Sequence, residues 1–546
     1  MDEAKVPSAY GDETKSAEAH GEPVPEEGGT AVTSNGLQRK LQARHIQMIA
    51  IGSNIGTGLF IGSGKALHTG GPLALVLGFI MISLSLTVMM QCLGEMAVVI
   101  PVSGSFTRYA SRFYDPSLGF AMGWQYWLAW VAVFGAESSA FVLLINFWDD
   151  NSNLTPLWIS IFLMINFAIH VCPVRVFGEV EFWVSAMKVI AVVVFIIVVW
   201  AVMGGAGPNG HKHGAEYWHL EGLDNGLHNG FKGLAAVFVT AAFAAGGTEM
   251  VGIVAGEAQN PRYNLPRAIR TLMWRIFLFY VVSMLFLTFV VPYNEDGLLG
   301  TSNANSSPFV LAIKSAGIKV LPHILNAVVM VCVCSVGSTS VYIASRTLKG
   351  MAEDGFAFKF FARTDRHGRP YVALIFSGAV CTILAYLNCS STGATVFGWF
   401  SAISGMAFFI AWLVIIASNW RFHAALKAQN DDTLERRFAF RAFGWPWLSI
   451  AAFIAIFFMV VCQFIVSVWP IHKKSSASTF FSNYIGVPIF LVMWAGYKVI
   501  YRPKWQKLTE VDLQTGRREE DPEEIAMLEH YHSLSRWQRA VSYLHF

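Results

Sequence analysis

The chain has 546 residues, of which 54% are hydrophobic and only 14% are charged, and its mean hydropathy is +0.47. A soluble domain carries about 25% charged residues, so this composition indicates a protein surrounded by lipid. The formal net charge is only +3, and no basic tract interleaved with aromatic residues is present, which excludes a nucleic-acid-binding protein.

The two ends of the chain differ from its middle. Residues 1–44 are rich in acidic residues, Gly, Pro and Ser and hold few bulky apolar residues, so we predict a disordered tail there. Residues 502–546 are again polar and charged and are predicted to form a second tail. The membrane domain is therefore expected over residues 45–501.

Between the tails, twelve apolar runs are long enough to cross about 30 Å of hydrocarbon, at ~20 residues for each helix. This pattern predicts an all-α integral membrane protein with twelve transmembrane helices. The predicted spans are 46–67, 73–99, 118–147, 155–174, 183–204, 232–255, 271–292, 322–345, 372–389, 395–419, 446–469 and 480–500.

An even number of spans places both tails on one side of the membrane. The short loops on that side hold about three times as many lysines and arginines as the opposite loops, which predicts that both termini are cytoplasmic. Three acceptor sequons, at Asn153, Asn305 and Asn388, all lie on the predicted outer side and are candidate glycosylation sites.

Two of the predicted spans are interrupted by glycine clusters. The first span contains GSNIGTGLFIGSG (52–64) and the sixth contains FAAGGTEMVGIVAGE (243–257), although each glycine costs about 0.5–1 kcal/mol relative to alanine in a helix. Close helix packing through small residues is one explanation. Broken helices at corresponding places in two halves favour a transporter site, whose freed N–H and carbonyl groups suit the carboxylate and ammonium of an α-amino acid.

Several motifs carry a resemblance to a known family. The segments RHIQMIAIGSNIGTGLFIGSGKAL, VFVTAAFAAGGTEMVGIVAGEAQNP and VCSVGSTSVYIASRTLKGMAEDG resemble the first, sixth and eighth segments of fungal (yeast-type) amino-acid permeases, members of the amino acid–polyamine–organocation superfamily. The tail phrase VDLQTGRREED is most similar to the general amino-acid permease branch. The resemblance extends from about Arg44 to Glu520.

This resemblance implies two inverted five-helix repeats, with helices 1 and 6 broken, followed by two further helices. It also implies proton-coupled uptake (symport) of free amino acids across the plasma membrane, with the proton as coupling ion and no other cofactor. Backbone groups of the two breaks would bind the carboxylate and the ammonium, and the ring of Phe243 would act as a gate. The implied substrate-binding residues are Asn54, Ile55, Gly56, Thr57 and Gly58 in the first span, and Phe243, Ala244, Gly246 and Thr248 in the sixth.

Ionisable residues inside a membrane span are costly and are functional candidates by default. In related proton-coupled carriers, a lysine at the position of Lys188 replaces a sodium ion and contacts the broken first helix; the alternative is that Lys188 extends to the cytoplasmic interface. Glu249 and Glu137 are candidates for a proton relay or for contact with the substrate ammonium. A structural hydrogen bond to freed backbone is the equal alternative for both acids.

Two further acids, Glu95 and Glu257, lie near the predicted cytoplasmic ends of their spans. We expect them to form gate or interface pairs with Arg108 or Arg262. No metal site is expected, because the cysteines lack zinc spacing and the histidines of GHKHG belong to a loop.

Substrate range is the least constrained prediction. Ser338 in the eighth span and Ser404 in the tenth suggest a small, mildly polar lining, and no arginine lies deep in a span to bind a side-chain carboxylate. This favours broad import of neutral amino acids, although Glu137 would suit basic ones. The alternatives are a narrow permease for basic amino acids or for proline and other neutral ones, coupling to sodium, and an amino-acid sensor.

Two other predictions concern catalysis and regulation. An enzyme is not expected, because no nucleophile–base set or His/Asp cluster lies at membrane depth. Lys5 and Lys15 in the N-terminal tail are candidate ubiquitin acceptors, and the resemblance implies ubiquitin-ligase adaptors as partners of the tails. They are equally well explained as ordinary solvated lysines.

Overall fold

A computed structural model describes residues 52, 55–102, 104–149, 151–208, 210–255, 261–298, 307–366, 368–390, 393–471, 474–518, 522–535 and 537–539. This part of the chain is helical and contains no β-strand beyond one isolated bridge between Asp224 and Leu227. An all-helical fold is expected for a chain in lipid, because a helix satisfies its backbone hydrogen bonds internally.

Seventeen α-helices follow one another along the described residues. They are α1 (Ser63–Val99), α2 (Phe106–Phe113), α3 (Pro116–Ile145), α4 (Thr155–Val171), α5 (Val174–Met203), α6 (Gly230–Ala245), α7 (Met250–Ala255), α8 (Pro261–Ile276), α9 (Ser283–Val290), α10 (Pro308–Ser315), α11 (Leu321–Glu353), α12 (Tyr371–Tyr386), α13 (Gly393–Ala428), α14 (Trp447–Val468), α15 (Ala477–Tyr484), α16 (Gly486–Tyr501) and α17 (Pro522–Ser533). Two π-helical turns, Gly58–Gly62 and Phe277–Val282, precede α1 and α9.

The prediction of an all-α membrane protein is confirmed. Among the described residues, nine helical segments are long and apolar enough to cross a membrane, or ten if the pair α15 and α16, bent by 74°, forms one span. Two predicted spans merge in α1, which kinks at Gly71 with φ of +80° before Pro72. The helix α4 is shorter, with 17 residues. The count of twelve and the inverted repeats remain predictions.

The helix α3 lies at the centre of the bundle, between α11 and α13, and the π-turn Gly58–Gly62, α1 and α6 form a second packed group beside it. The helix α5 lies at the periphery. One of its faces is exposed at Trp183, Ile190 and Ile197, which repeat every seven residues and so form one stripe suited to lipid. The opposite face, with Lys188, is buried against the bundle.

The polar C-terminal segment lies against one end of the bundle. Gln506 N–H donates to the Tyr114 carbonyl at 2.8 Å, and Arg517 pairs with Asp431 at 2.5 Å. The buried carboxylate of Glu524, in α17, accepts from the backbone N–H of Arg262 at 3.0 Å. The C-terminal segment therefore contacts the membrane domain at Gln506, Arg517 and Glu524.

The expected arginine partner of Glu95 was wrong. Glu95 accepts from Asn419 at 2.7 Å and contacts His423 at 2.8 Å, while Arg108 pairs with Asp354 at 2.6 Å. The partners come from α13 and from the end of α11, both distant in sequence from α1 and α2. Glu257 lies outside the described residues.

Candidate functional site

At the first predicted break, two non-helical residues precede one helical residue and the π-turn Gly58–Gly62. Ile55 and Gly56 are not helical, and the Gly56 carbonyl accepts from Leu59 N–H at 3.2 Å and from Phe60 N–H at 3.0 Å. The helical segment therefore begins at about Thr57 inside the protein. The first N–H groups of a helix lack intrahelical partners, so this end offers donors to an anion. Asn54 lies outside the described residues.

The second break separates α6 from α7. Gly246 has extended backbone, with φ −64° and ψ 147°, and Gly247 has a φ of +98° that favours glycine over any residue with a side chain. The helix resumes at Met250. The four residues between Ala245 and Met250 thus interrupt the span, which leaves the last carbonyls of α6 without intrahelical partners.

The two breaks touch each other. A Cβ built on Gly58 would lie well below van der Waals contact with the backbone of Ala244, so only glycine permits this approach. A Cβ on Gly246 would collide with the ring of Phe408. Close packing and a substrate site were alternative explanations of the glycines, and the geometry shows that the packing itself brings the two breaks together.

A small cavity of about 20 Å³ lies where the breaks meet. This volume holds about one water molecule, so the site is too small for an amino acid. Seven of its lining residues are among the predicted substrate-binding or coupling residues: Gly56, Thr57, Gly58, Glu137, Phe243, Ala244 and Gly246. The sequence analysis did not identify the other four, which are Trp130, Val133, Val336 and Phe408.

Glu137, from α3, is the acidic group of the cavity wall. It is buried, and its Oε1 accepts from the Thr57 hydroxyl at 2.7 Å. Its Oε2 is also buried and has no hydrogen-bond partner among the described residues. An unpartnered buried carboxylate oxygen is costly, so this atom is available for a proton, a water molecule or a substrate group.

Lys188 lies on the inward face of α5 and is completely buried. Its Nζ donates to the Gly52 carbonyl at 2.6 Å and to the Ser335 hydroxyl at 2.9 Å, so the side chain does not extend to the interface. Its Nζ also lies 3.6 Å from Oε1 of Glu181, two turns earlier on the same helix face, and Ser335 donates to Glu181 Oε2 at 2.6 Å. The lysine joins the first span, α5 and α11 through buried polar contacts.

Glu249 is buried away from the cavity lining and is surrounded by donors. Its Oε1 accepts from the Tyr126 hydroxyl and from Gly247 N–H, both at 3.1 Å, and its Oε2 accepts from Trp412 Nε1 at 3.1 Å. These bonds hold the backbone of the second break. Hydrogen bonding to the freed backbone was the alternative explanation for Glu249, and these contacts agree with it. The coupling role of Glu249 remains a prediction.

Four other predicted substrate-binding residues do not line the cavity. Thr248 donates to the Ala245 carbonyl at 2.9 Å, and Ser404 donates to the Ala129 carbonyl at 3.0 Å. The Ser338 carbonyl contacts His170 at 3.0 Å. Ile55 is buried directly before the cavity residues. The hydroxyls of Thr248 and Ser404 therefore bond to main-chain carbonyls, and Ser338 contacts His170.

Glu181 and Tyr280 were missed by sequence reasoning. Tyr280, in the π-turn before α9, donates its hydroxyl to the Ala244 carbonyl at 2.8 Å, which is a group assigned to the substrate ammonium. Nothing in the local sequence of Tyr280 indicates this contact. Glu181 lies seven residues before Lys188, and that helical spacing was a usable signal for a buried pair.

The modification candidates have different environments. Asn153 is exposed, whereas Asn388 is buried and its Nδ2 donates to Ser138 Oγ and to the Ala385 carbonyl, both at 3.1 Å. Asn388 would have to leave these contacts to carry a glycan. Asn305, Lys5 and Lys15 lie outside the described residues.

Comparisons with known proteins agree with this architecture. The family model "Amino acid permease" matches residues 45–510. The chain is 43% identical to the general amino-acid permease GAP2 of Candida albicans over 89% of this chain and 82% of the relative. It is 41% identical to the dicarboxylic amino acid permease of Saccharomyces cerevisiae over 89% of this chain and 81% of the relative.

A likeness to a solved structure extends to the fold alone. A crystal structure of a manganese transporter mutant from Eremococcus coleocola aligns with 86% of this chain and 99% of its own length, with a TM-score of 0.51. The identity is only 12%, so the shared feature is the helical transporter architecture.

Proposed function

The chain belongs to the amino acid permease family and is a multi-pass membrane protein, and from this premise we propose that it is a proton-coupled importer of free amino acids. We place it in the plasma membrane with both termini in the cytoplasm. Its substrate range is broad, with a preference for neutral amino acids, and the proton is its only coupling ion. The observation that carries the proposal is the small cavity formed where the two broken spans meet.

The backbone at this cavity suits both ends of an amino acid. The helical segment that begins at about Thr57 supplies N–H donors to a carboxylate, and the carbonyls at the end of α6 supply acceptors to an ammonium. The Ala244 carbonyl already accepts from Tyr280, but a carbonyl oxygen has a second lone pair for a substrate donor. Because the cavity has room for about one water molecule, substrate entry requires the breaks to separate.

Lys188 supports the coupling part of the proposal. Its ammonium bonds directly to the Gly52 carbonyl, only a few residues before the cavity-lining Gly56. Transfer of a proton away from Lys188 would remove the charge-assisted contact to the first span and so change its position. The family resemblance implies that a lysine at this position replaces a sodium ion, so we propose that coupling does not use sodium.

The cavity wall supports the substrate range. Trp130, Val133, Val336 and Phe408 present apolar surface, and no lysine or arginine is among the lining residues that the structure describes. A substrate with a second carboxylate would face Glu137 without a cation. We therefore do not expect this chain to share the substrates that the name of the dicarboxylic relative states. The general and the dicarboxylic relatives are similarly close to this chain in sequence, at 43% and 41% identity.

A second candidate is a permease for basic amino acids. The observation that favours it is Glu137 Oε2, a buried carboxylate oxygen at the cavity with no partner among the described residues. A lysine or arginine side chain would provide both a counter-charge and a donor for this atom.

Uptake of a panel of radiolabelled amino acids, in cells that lack their own permeases, tests the proposal. Uptake is measured at about pH 5 and about pH 7.5, with and without a protonophore, for the wild type and Lys188→Ala. The exposed Lys232→Ala is the control for removal of a lysine. We expect acid-stimulated, protonophore-sensitive uptake of many neutral amino acids, lost in Lys188→Ala and retained in Lys232→Ala.

Other outcomes decide between the alternatives. Uptake confined to basic amino acids, abolished by Glu137→Gln, would replace the broad neutral range with the second candidate. Uptake that depends on sodium and not on the proton gradient would contradict the coupling proposal. Amino-acid binding without uptake, at normal surface expression, would identify a sensor.

A further inference from the structure

A cluster of metal-ligating side chains lies in the connection between α5 and α6, away from the cavity. Nitrogen atoms of His211 and His213 and a carboxylate oxygen of Glu216 all lie within 4.8 Å of one another. Glu216 Oε1 is 3.0 Å from His211 Nε2 and 2.9 Å from His213 Nδ1. The sequence analysis expected no metal site here, because the histidines of GHKHG belong to a loop, and it did not consider Glu216.

Local backbone contacts of the connection bring the three side chains together. His213 N–H donates to the Met203 carbonyl at 3.2 Å, which ties the second histidine to the end of α5. Glu216 begins a 3₁₀ turn that ends at Trp218, and Trp218 Nε1 donates to Thr288 Oγ1 on α9 at 3.2 Å. The two sides of the cluster are thus fixed to two different helices of the bundle.

Two imidazole nitrogens and one carboxylate oxygen form a typical protein ligand set for zinc. We propose that His211, His213 and Glu216 bind one Zn²⁺ ion, with a fourth position open to water. In a tetrahedral site with bonds of about 2.0–2.2 Å, neighbouring ligand atoms are roughly 3.3 Å apart. The nitrogen–oxygen distances of 2.9 and 3.0 Å need to open by only a few tenths of an ångström.

The exposure of the cluster provides a route for the ion. The side chain of His213 is only 7% exposed, whereas those of His211 and Glu216 are 56% and 37% exposed. One ligand is therefore held by packing, and the other two close on the ion from the solvent side. The orientation proposed above places this connection outside the cell, so zinc in the medium reaches it directly.

Zinc would reinforce the connection at the end that is far from its contacts with α1. Downstream of the cluster, His228 N–H donates to the Gly70 carbonyl at 2.8 Å and Leu73 N–H donates to the Gly226 carbonyl at 3.0 Å, on either side of the kink at Gly71. An ion at His211, His213 and Glu216 adds a cross-link at the other end of the same connection. Binding to the folded state alone raises the midpoint of thermal unfolding.

The test is a zinc titration of the purified full-length chain, with any affinity tag cleaved, in competition with a chromophoric chelator. We expect the wild type to bind one more equivalent of Zn²⁺ than the double variant His211→Ala/His213→Ala. We expect Glu216→Gln to lower the affinity for this ion by at least ~10–100-fold, which is the loss caused by removing a residue that only supports a metal ligand. Mg²⁺ should not compete, because it prefers oxygen ligands.

The control is His219→Ala, an exposed histidine of the same connection that is not part of the cluster. This variant should still bind the additional Zn²⁺ ion and should still show the zinc-dependent rise in the midpoint of thermal unfolding. Equal zinc stoichiometry and affinity in the wild type and the double variant would overturn the proposal. If the double variant is poorly folded, unchanged affinity in Glu216→Gln overturns it instead. The readout is metal binding, so failure of the transport proposal would leave this result unaffected.

Discussion

Lys188 Nζ lies 2.6 Å from the carbonyl oxygen of Gly52, and both groups are buried inside the bundle. A lysine of α5 is thereby bonded to the main chain of the first broken span. The same ammonium is 3.6 Å from Glu181, so the position of the first span and the charge of this pair depend on each other. The first prediction follows from this relationship.

Lys188→Ala should lower the free energy of unfolding by about 3–5 kcal/mol, because Glu181 is left as an uncompensated buried charge. The double variant Lys188→Ala/Glu181→Gln should recover most of that loss, since it leaves no unpaired charge. Thermal unfolding of the purified variants measures both effects. A double variant as unstable as Lys188→Ala would show that the pair is not coupled.

Gly58→Ala should abolish uptake, because its Cβ would press the first break away from the backbone of Ala244. Overpacking of this kind costs about 1–3 kcal/mol, and here the displaced atoms are main chain at the cavity. Gly62→Ala is the matched control in the same motif, since its Cβ would meet the Thr240 methyl at 3.0 Å and no main-chain atom closer than the Thr57 carbonyl oxygen at 3.7 Å. Uptake rates normalised to surface expression provide the comparison. Equal activity of the two variants would contradict the close approach of the breaks.

Glycosylation should occur at Asn153 and not at Asn388, in a background where Asn305 is replaced by Gln. Asn153 is exposed, whereas the Nδ2 of Asn388 is buried and donates to Ser138 and Ala385. The measurement is the electrophoretic shift after enzymatic removal of N-glycans. Asn153→Gln should remove the shift and Asn388→Gln should leave it. A shift that persists in Asn153→Gln would place the glycan elsewhere.

Arg517→Ala should destabilise the protein by about 1.5–3 kcal/mol, because it removes charge-assisted hydrogen bonds to Asp431 in a mostly buried pair. Lys507→Ala is the control within the same tail segment. Its pair with Glu510 is exposed, so its loss should have little effect. Thermal unfolding measures the difference. Similar midpoints for both variants would show that docking of the tail contributes nothing to stability.

The sequence by itself determined the class of protein, the family and the position of both breaks. Composition and the length of apolar runs are local properties, and they are sufficient because a helix in lipid must satisfy its own backbone. The glycines of GSNIGTGLFIGSG and FAAGGTEMVGIVAGE mark their breaks for the same reason, since the cost of glycine in a helix is local. The family resemblance assigned Gly56, Thr57, Gly58, Phe243, Ala244 and Gly246 to the substrate site, and all of them line the cavity.

The tertiary structure alone decided which groups meet across the bundle. Glu137 accepts a hydrogen bond from Thr57, and Tyr280 donates one to the Ala244 carbonyl. Glu95 pairs with His423 and not with an arginine. These partners are separated by tens to hundreds of residues, so the choice among them depends on how the helices cross and rotate, which side-chain spacing within one helix does not specify. His211, His213 and Glu216 are near in sequence, but only the folded connection turns the glutamate toward the two histidines.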